Sequence, residues 1–273
     1  MFPKYEYRDS PLFIRLKHKT SDYPARFHKQ VEIVCVETGT LKVSIDGSSY
    51  TLEEGDLYIV FPNLLHTVTS GEGASISLMI FDSEHFSSFS DTLFHFKPTN
   101  PVLKKSCFDP IIHSIFERVH AISVSENSYR LGALIGYLNA ILGEIFPLLS
   151  LVRRESDNRV IQQLILYFLD HYTEDITLSQ AAQALNYNKY YISHVIGETL
   201  GCNFRSLINS YRVGMAQNLL LSTNKTVGEI TSDCGFKNQS SFNRIFLKYA
   251  GMTPSAYRRQ QDTAPDKPML ILR

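Results

Sequence analysis

A short pattern occurs twice in the last third of the chain and constrains the fold more than any other feature. Thr177–Gln180 (Thr-Leu-Ser-Gln) returns as Thr226–Glu229 (Thr-Val-Gly-Glu). Both match the capping box, in which a threonine side chain caps a helix start and the third following residue bonds back. Nine residues after each threonine stands a residue that tolerates a left-handed backbone, Asn186 in one copy and Gly235 in the other. Each copy therefore predicts a short helix that ends in a sharp turn.

A second helical pattern follows each turn and ends at a glycine, Gly201 in the first copy and Gly251 in the second. A short helix, a tight turn and a second helix make a helix-turn-helix unit. The chain thus holds two such units, and the periodicity between them predicts one helix over Phe204–Leu221, roughly 27 Å long at about 1.5 Å per residue. A rigid spacer of that size can hold two helices close to one turn of DNA apart, about 34 Å.

The outward faces of the two second helices carry polar side chains of the kinds that contact DNA. Asparagine and glutamine pair with adenine and arginine with guanine, whereas lysine, serine and threonine suit phosphates. A solvated helix face explains any single one of these residues equally well, but explains the whole set less well. The candidates are Lys189, Tyr190, Ser193 and His194 in the first unit, Gln239, Ser240, Asn243, Arg244 and Lys248 in the second, with Arg212 and Lys237 as additional cations.

The charge distribution supports a nucleic-acid partner for this part of the chain only. The 273 residues have a formal net charge of zero, but residues 176–260 hold nine Lys or Arg and three acids. The first 155 residues hold 15 basic and 18 acidic residues. A basic C-terminal part suits phosphate contact.

The N-terminal part predicts an all-β domain followed by two helices. Seven β-rich runs alternate with turn residues and have no helical pattern between them, which favours a sandwich or barrel. The predicted strands are Leu12–Lys17, Glu32–Glu37, Lys42–Ile45, Ser49–Leu52, Asp56–Phe61, His66–Thr69 and Ser75–Phe81. Helical periodicity follows over Phe108–Val119 and Tyr129–Leu149. In the second helix an apolar seam at Leu134, Leu138, Ile141 and Ile145 fits either a dimer contact or packing on the barrel.

Within this part, His28-x3-Glu32-x6-Gly39 precedes Gly55-Asp56-x5-Pro62-x3-His66, which resembles the two motifs of the cupin barrel. Metal-binding cupins carry His-x-His-x3-Glu in the first motif, and here Arg26 replaces the first histidine. We therefore predict no metal and a small-molecule site that includes Arg26, His28, Glu32 and His66. A cationic Arg26 favours an anionic or hydroxyl-rich effector, such as a sugar or a small anion.

The second unit continues as Ile230-Thr231-x2-Cys234-Gly235-Phe236-x5-Phe242-x3-Phe246-x4-Gly251-Met252-Thr253-Pro254-Ser255-x-Tyr257-Arg258. This run resembles the C-terminal DNA-binding domain of the AraC/XylS family of bacterial transcription regulators. The resemblance covers nearly the whole chain and implies that both second helices enter successive major grooves. It also departs from the family, which usually has Phe-Lys late in each recognition helix, where this chain has Ile196-Gly197 and Phe246-Leu247.

The resemblance implies a multi-domain α+β protein: an all-β cupin-like barrel with a C-terminal helical pair, then an all-α domain with two helix-turn-helix units joined by a long helix. The predicted limits are 1–152 for effector binding and dimerisation, 153–158 for a linker, 159–261 for DNA binding and 262–273 for a tail. We expect a homodimeric activator controlled by a small molecule, with RNA polymerase as a further partner if it activates.

Two other functions remain open at this stage. The barrel could be a metal-dependent isomerase or dioxygenase using His28, Glu32 and His66, or it could serve dimerisation alone. No nucleophile motif, phosphate-binding glycine loop or zinc-finger spacing supports catalysis, so we predict that the protein is not an enzyme and has no cofactor. Four scattered cysteines and a polar N-terminus predict a cytoplasmic protein with reduced thiols. The apolar stretch Leu131–Val152 predicts a buried helix and not a membrane span.

Overall fold

The computed structural model describes residues 3–8, 11–125, 128–154, 156–263 and 270–271. In chain order its strands are β1 (Lys4–Tyr5), β2 (Leu12–Lys19), β3 (Tyr23–Phe27), β4 (Val31–Thr38), β5 (Thr40–Ile45), β6 (Ser48–Glu53), β7 (Leu57–Val60), β8 (His66–Ser70), β9 (Ser75–Phe81), β10 (Phe96–Pro98), β11 (Val102–Leu103), β12 (Leu151–Arg153) and β13 (Leu270–Ile271). Its α-helices are α1 (Ser87–His95), α2 (Ile111–Ser123), α3 (Arg130–Ile145), α4 (Ser156–His171), α5 (Leu178–Ala184), α6 (Lys189–Leu200), α7 (Phe204–Ser222), α8 (Val227–Asp233), α9 (Gln239–Ala250) and α10 (Pro254–Thr263).

The described residues form two compact units. The barrel unit consists of residues 11–24, 30–125, 128–154 and 270–271, and the helical unit consists of residues 3–8, 25–29 and 156–263. The predicted fold class, a β-rich domain with a helical pair followed by an all-α domain with two helix-turn-helix units, is confirmed. Relative to the predicted domain limits, two short N-terminal pieces group with the helices.

The barrel unit is built on a six-stranded sheet in the order β11-β7-β4-β9-β2-β13, and a second group places β5 between β6 and β8. All seven strands predicted from the sequence are present. Strands β4 and β9 lie inside the large sheet, and their near-continuous apolar runs are buried on both faces. The β5–β6 hairpin turns at Asp46 and Gly47, whose φ angles of 51° and 83° are those of the tight turn that Asp-Gly favours.

The strands that sequence reasoning missed are short or have atypical composition. Strand β3 reads Tyr-Pro-Ala-Arg-Phe, and proline argues against a strand because it lacks an amide donor. At the other end of the chain, β13 pairs antiparallel with β2, with Leu270 opposite Ile14. The apolar part of the predicted tail therefore extends a sheet edge, while residues 264–269 and 272–273 of that tail lie outside the described residues.

The apolar seam of α3 packs inside the barrel unit. Leu134, Leu138, Ile141 and Ile145 are all at most 1% exposed and join one core cluster with α2 and the strands. Of the two predicted readings of the seam, intramolecular packing is therefore correct. By length and composition Arg130–Leu148 could cross a membrane, but this apolar face belongs to a folded core.

The polar run predicted as a linker contributes its first two residues to the barrel unit, Arg153 at the end of β12 and Arg154 after it. Arg154 is 8% exposed and donates to the carbonyl oxygens of Pro62, Leu93 and Phe96 at 2.7, 3.2 and 2.8 Å. Burial lowers the pKa of this guanidinium to about 10, so it stays charged at neutral pH. Helix α4 then begins at Ser156, within the segment predicted as the linker.

The helical unit has the repeat that the sequence predicts. Thr177 and Thr226 both form complete capping boxes, with Gln180 and Glu229 respectively. Asn186 and Gly235, predicted to turn the chain after α5 and α8, have φ angles of 62° and 71°. Helix α7 joins the two helix-turn-helix units and has 19 residues, close to the predicted length.

An N-terminal strand packs on α7 within the helical unit. Strand β1 pairs parallel with the end of β3, and the Tyr5 ring stacks on Tyr211 with 4.7 Å between ring centroids. The Tyr5 amide donates to Ser210 Oγ at 2.6 Å. Gly214 permits this approach, since a Cβ atom there would lie 2.7 Å from the Tyr5 carbonyl oxygen. Residues 3–8 are therefore part of the structure that orders the helix between the two helix-turn-helix units.

Candidate nucleic-acid interface and barrel site

Helix α6 has one buried face and one polar face. Asn188 caps its start by accepting from the Tyr190 amide at 2.8 Å, and Gly201 ends it in the left-handed conformation. Ile192, Val195 and Ile196 are fully buried, which fixes the rotation of the helix about its axis. The remaining face presents all four predicted contact residues of the first unit as exposed side chains: Lys189, Tyr190, Ser193 and His194.

Within this face, the Lys189 ammonium lies 5.1 Å from the centroid of the Tyr190 ring, which is 73% exposed. An exposed tyrosine beside a lysine offers a flat apolar ring and a charge at one place on the helix. Gly197 lies on the same outward face, and a Cβ atom added there would meet nothing within 4 Å. The position at which the resemblance leads us to expect lysine is therefore sterically open.

Helix α9 repeats this arrangement with a more polar face. Asn238 caps it by accepting from the Ser241 amide at 2.8 Å, and Gly251 ends it at φ 74°. Phe242 and Phe246 are fully buried and pack on each other with ring centroids 5.5 Å apart. The predicted contact residues are all exposed: Gln239, Ser240, Asn243, Arg244 and Lys248. Two bidentate amides and one guanidinium therefore share one helix face, the side-chain set that reads base edges in a major groove.

Of the two additional cations, Lys237 is accessible and Arg212 is not presented to a ligand. Lys237 is 77% exposed and pairs with Asp175 at 2.7 Å. Arg212 donates from Nε to the Tyr172 carbonyl oxygen at 2.7 Å and from Nη2 to the Glu174 carbonyl oxygen at 2.6 Å. Because these internal carbonyls hold its guanidinium, we leave Arg212 out of the candidate interface.

Arg258 is a structural residue that the sequence analysis quoted only as part of the family pattern. It donates to the Leu220 carbonyl oxygen at 3.3 Å and to the Lys225 carbonyl oxygen at 2.5 Å, at the end of α7. Arg212 makes the matching contact at the end of α4, and each arginine follows a tyrosine, Tyr211 or Tyr257. The repeated Tyr-Arg dipeptide was the available sequence signal for these two arginines, each of which binds two backbone carbonyl oxygens.

In the barrel unit the structure brings Glu32 and His66 together. Glu32 is fully buried on β4, accepts from the Tyr58 hydroxyl at 2.9 Å, and lies 3.7 Å from His66 Nε2. His66 Nδ1 is 2.9 Å from the Leu64 carbonyl oxygen, a contact that places its proton on Nδ1. The side chains of Glu32 and His66 are both fully buried.

The other two predicted ligand-binding residues belong to the segment of residues 25–29 that groups with the helical unit. Arg26 is 7% exposed, and its Nε lies 3.3 Å from Glu6 Oε2. Although burial opposes ionisation of Glu6, the charges of Arg8 and Arg26 hold the pKa of that carboxyl at about 2. His28 is 1% exposed. Arg26 is thus paired with an acid that the sequence analysis did not consider.

Comparison with known proteins identifies both halves of the chain. The family model of the AraC-like ligand binding domain matches residues 11–135, and the model of a helix-turn-helix domain matches residues 181–260. Together with the paired helices and the barrel, these matches define a DNA-binding transcription regulator with an N-terminal ligand-binding domain. The chain belongs to the AraC/XylS family, as the resemblance of residues 230–258 implied.

Individual relatives agree with this assignment. The chain is 24% identical over 262 residues to the uncharacterized HTH-type transcriptional regulator YisR of Bacillus subtilis (strain 168), covering 88% of this chain and 90% of the relative. It is 32% identical over 110 residues to YtdP of the same strain, of which it spans only 14%. The relatives are regulators, which confirms the prediction that the protein is not an enzyme and removes the isomerase or dioxygenase alternative.

Solved structures show the same fold over nearly the whole chain. A 1.65 Å structure of ToxT from Vibrio cholerae superposes with a TM-score of 0.63 at 15% identity, covering 92% of this chain and 97% of ToxT. A structure of ToxT with a bound unsaturated fatty acid superposes with a TM-score of 0.60 at 13% identity, covering 96% and 100%. At this identity the likeness establishes the fold and no more.

Proposed function

We propose that the protein regulates transcription by placing α6 and α9 in two successive major grooves of double-stranded DNA. The observation that carries this proposal is the matched pair of helix faces, each capped by asparagine, anchored by buried apolar residues and polar on the outside. A helix that is held in one rotation presents its exposed side chains at fixed positions, which base reading requires.

The second helix supplies the larger share of sequence discrimination. Asn243 and Gln239 suit adenine, Arg244 suits guanine, and Lys248 and Ser240 suit phosphates. In the first helix His194, Ser193 and Tyr190 are the base-facing candidates, with Lys189 toward the backbone and Lys237 beside the second helix. A lysine is absent at position 197, so the first helix contributes less electrostatic affinity.

We infer that the effector enters the barrel unit and donates hydrogen bonds. A carboxylate accepts hydrogen bonds and repels anions, and the buried Glu32 carboxylate lies beside the Tyr58 hydroxyl and the His66 ring. Arg26 pairs with Glu6 and offers less charge to an anion than the sequence suggested. These contacts favour a hydroxyl-rich or amino compound, such as a sugar, over a small anion. ToxT holds a fatty acid, and the buried Glu32 of this chain disfavours such a carboxylate.

We propose a homodimer that uses the outer face of α3. Gly132, Gly136 and Ala140 recur at four-residue spacing on its exposed side, and the two glycines have nothing within 4 Å of an added Cβ. Exposed Leu131 at 42% and Leu148 at 41% extend this face in both directions. Small residues let a second helix approach closely, and the apolar ends supply area to bury. A Gly136→Glu variant should sediment as a monomer, whereas the matched Ala121→Glu variant, at an exposed position of α2, should not change the oligomeric state.

We propose that the protein activates transcription in the cytoplasm with RNA polymerase as its partner. Activation is tested by transcription in vitro. Template carrying the selected site should yield more transcript with protein present and should respond to the effector. Effector control requires that the ligand bind two states with different affinity. Less transcript in the presence of protein would make the protein a repressor.

The experiment that tests the function is selection of bound DNA from a random pool by the full-length protein at fixed salt, followed by footprinting. We expect a site with two contacts one helical turn apart on one DNA face. Enrichment of a single contact would mean that α6 does not read bases. Recovery of no sequence above background would contradict sequence-specific binding altogether.

The effector is sought by thermal denaturation against sugars, polyols, amines and carboxylates. A hydroxyl-rich or amino compound should raise the midpoint in the wild type but not in Glu32→Gln, since that change removes the buried carboxylate. Glu53→Gln, at an exposed site on the same barrel unit, is the matched control. Stabilisation by carboxylates alone, retained in Glu32→Gln, would contradict the inference.

A further inference from the structure

The turn between α4 and α5 connects the two helix-turn-helix units by contacts additional to the covalent connection through α7. Residues 172–175, here the 172–175 turn, lead directly to the Thr177 cap of the first unit. The Tyr172 and Glu174 amides close this turn by donating hydrogen bonds to the carbonyl oxygens of Phe168 and His171 at 2.8 and 3.0 Å. Any group that holds this turn therefore also holds the start of the first unit.

Arg212, on α7, donates two hydrogen bonds to the turn, and this arrangement is called the clamp below. Its Nε and Nη2 atoms donate to the carbonyl oxygens of Tyr172 and Glu174. A guanidinium is planar and carries its donors in a fixed fork, so two bonds define the distance and the angle between the turn and the helix. Tyr211 adds ring contact, with its centroid 5.7 Å from that of Tyr172.

The second unit presses on the same turn from the other side. A Cβ atom on Gly235 would lie 2.5 Å from the Tyr172 carbonyl oxygen and 2.8 Å from Thr173 Cα, so the two backbones are in direct contact. The Phe236 ring centroid is 5.8 Å from the Arg212 guanidinium carbon. Lys237 reaches Asp175 at 2.7 Å. Gly235–Lys237 of the second unit thus contact either Arg212 or the 172–175 turn.

The second copy of the clamp has no such role. Arg258 binds Leu220, in the last turn of α7, and Lys225, just ahead of the Thr226 cap of the unit that Arg258 itself follows. The contacts that join one unit to the other are therefore made at the first clamp. Its geometry reaches beyond what each helix-turn-helix unit needs for its own folding.

We propose that Arg212, the 172–175 turn and Gly235–Lys237 form a brace that fixes α6 relative to α9 and makes the protein selective for the spacing of its two groove contacts. This inference rests on the proposed function, because it requires that both helices engage DNA. One base pair more or less between the contacts shifts one groove by about 3.4 Å and rotates it by roughly 35°. A braced protein cannot follow that change, so the DNA must deform.

The test uses full-length protein and the two-contact site obtained by selection, rebuilt with the spacing between the contacts changed by one or two base pairs. Arg212→Lys keeps the charge but replaces the fork with a point donor that cannot hold two carbonyls in the same geometry. Asp175→Asn removes the exposed ion pair with Lys237 and leaves the hydrogen bonds of Arg212 to Tyr172 and Glu174 in place. Arg205→Lys, at an exposed position of α7, is the matched control.

We expect wild type and Arg205→Lys to lose about tenfold or more in affinity when the spacing changes by one base pair. Arg212→Lys should lower that penalty to about threefold or less, and Asp175→Asn should give an intermediate value. In both variants the affinity for DNA with the optimal spacing should fall by a much smaller factor than the factor by which the spacing penalty falls. Circular dichroism accompanies each titration, so that loss of folded protein is separated from loss of spacing selectivity.

Two outcomes overturn the brace while leaving the function intact. One is two-groove protection by Arg212→Lys with an unchanged spacing penalty, and the other is an equal loss of affinity at every spacing. Wild-type protection of a single groove would refute the two-groove function, and the brace with it. If Arg212→Lys does not fold, Asp175→Asn decides, because an unchanged spacing profile in that exposed variant also contradicts the proposal.

Discussion

A lysine at position 197 should convert the weaker of the two helix faces into a stronger one. Gly197 lies on the outward face of α6, and a Cβ atom there meets nothing within 4 Å. Replacing a helical glycine should stabilise the helix by roughly 0.5–1 kcal/mol. One added phosphate contact should steepen the slope of log affinity against log salt by about 0.9, which at 0.15 M salt amounts to about 1 kcal/mol or about fivefold.

The two effects are separated by a second substitution at the same site. Gly197→Ala removes the glycine but adds no charge, so it should raise the thermal midpoint as Gly197→Lys does while leaving the salt slope unchanged. Binding is measured by fluorescence anisotropy on the selected site and on random DNA across a range of salt concentrations. The gain of Gly197→Lys should be the same on both DNAs, since phosphates carry no sequence information.

The reasoning would be refuted if Gly197→Lys and Gly197→Ala had the same affinity and the same salt slope. That result would place position 197 away from the phosphate backbone. The first unit would then bind DNA, if at all, in an orientation other than the one that its buried Ile192, Val195 and Ile196 impose.

Four further predictions concern base reading, phosphate contact, acid stability and chain packing. Arg244→Ala should cost on the order of 1–3 kcal/mol at the selected site and relax base preference there, whereas Lys248→Ala should weaken binding to all sequences and lower the salt slope by about 0.9. Glu6 has its pKa depressed from 4.5 to about 2, so its contribution to stability should be present above about pH 4.5 and lost between pH 4.5 and 2; the midpoint difference between wild type and Glu6→Gln should shrink over that range. Gly214→Ala should destabilise the helical unit by about 1–3 kcal/mol in urea unfolding, because its methyl group meets the Tyr5 carbonyl.

Each of these has a contradicting outcome. Unchanged base preference in Arg244→Ala would remove it from the reading set, and a sequence-selective loss in Lys248→Ala would contradict the phosphate role. A midpoint difference for Glu6→Gln that stays constant from pH 5 to pH 2 would mean that the carboxyl titrates normally. Unaltered urea unfolding of Gly214→Ala would mean that the strand at residues 4–5 does not pack closely on α7.

The sequence predicted best the features whose partners are near in the chain. The capping boxes at Thr177 and Thr226 span four residues each, and the Asp46-Gly47 hairpin turn spans two. Such features depend only on local backbone geometry and on side chains a few positions apart, so a single sequence is enough to find them. The helix faces of α6 and α9 were predictable for the same reason, because periodicity fixes which side chains share a side.

The features that were missed depend on partners far away in the chain. Arg212 looked like a surface cation, and only the carbonyl oxygens of Tyr172 and Glu174, about 40 positions earlier, show that it is structural. Arg26 looked like a ligand for an anion until Glu6 was found beside it. Backbone carbonyl oxygens occur at every residue and carry no residue-type signature, so the repeated Tyr-Arg dipeptide was at most a hint for Arg212. The pairing of Arg26 with Glu6 depends on a chain path that no local motif indicates.

The packing of Tyr5 on Tyr211 has a consequence for how the protein is made. The Tyr5 amide and its acceptor Ser210 are 205 positions apart, so at about 5–20 residues per second the ribosome delivers the acceptor roughly 10–40 s after the donor. During that interval the Tyr5 ring lacks the Tyr211 ring on which it later stacks. A nascent chain stalled before α7, or a C-terminal fragment that begins at α4, therefore leaves one half of this contact open to chaperones, proteases or another chain.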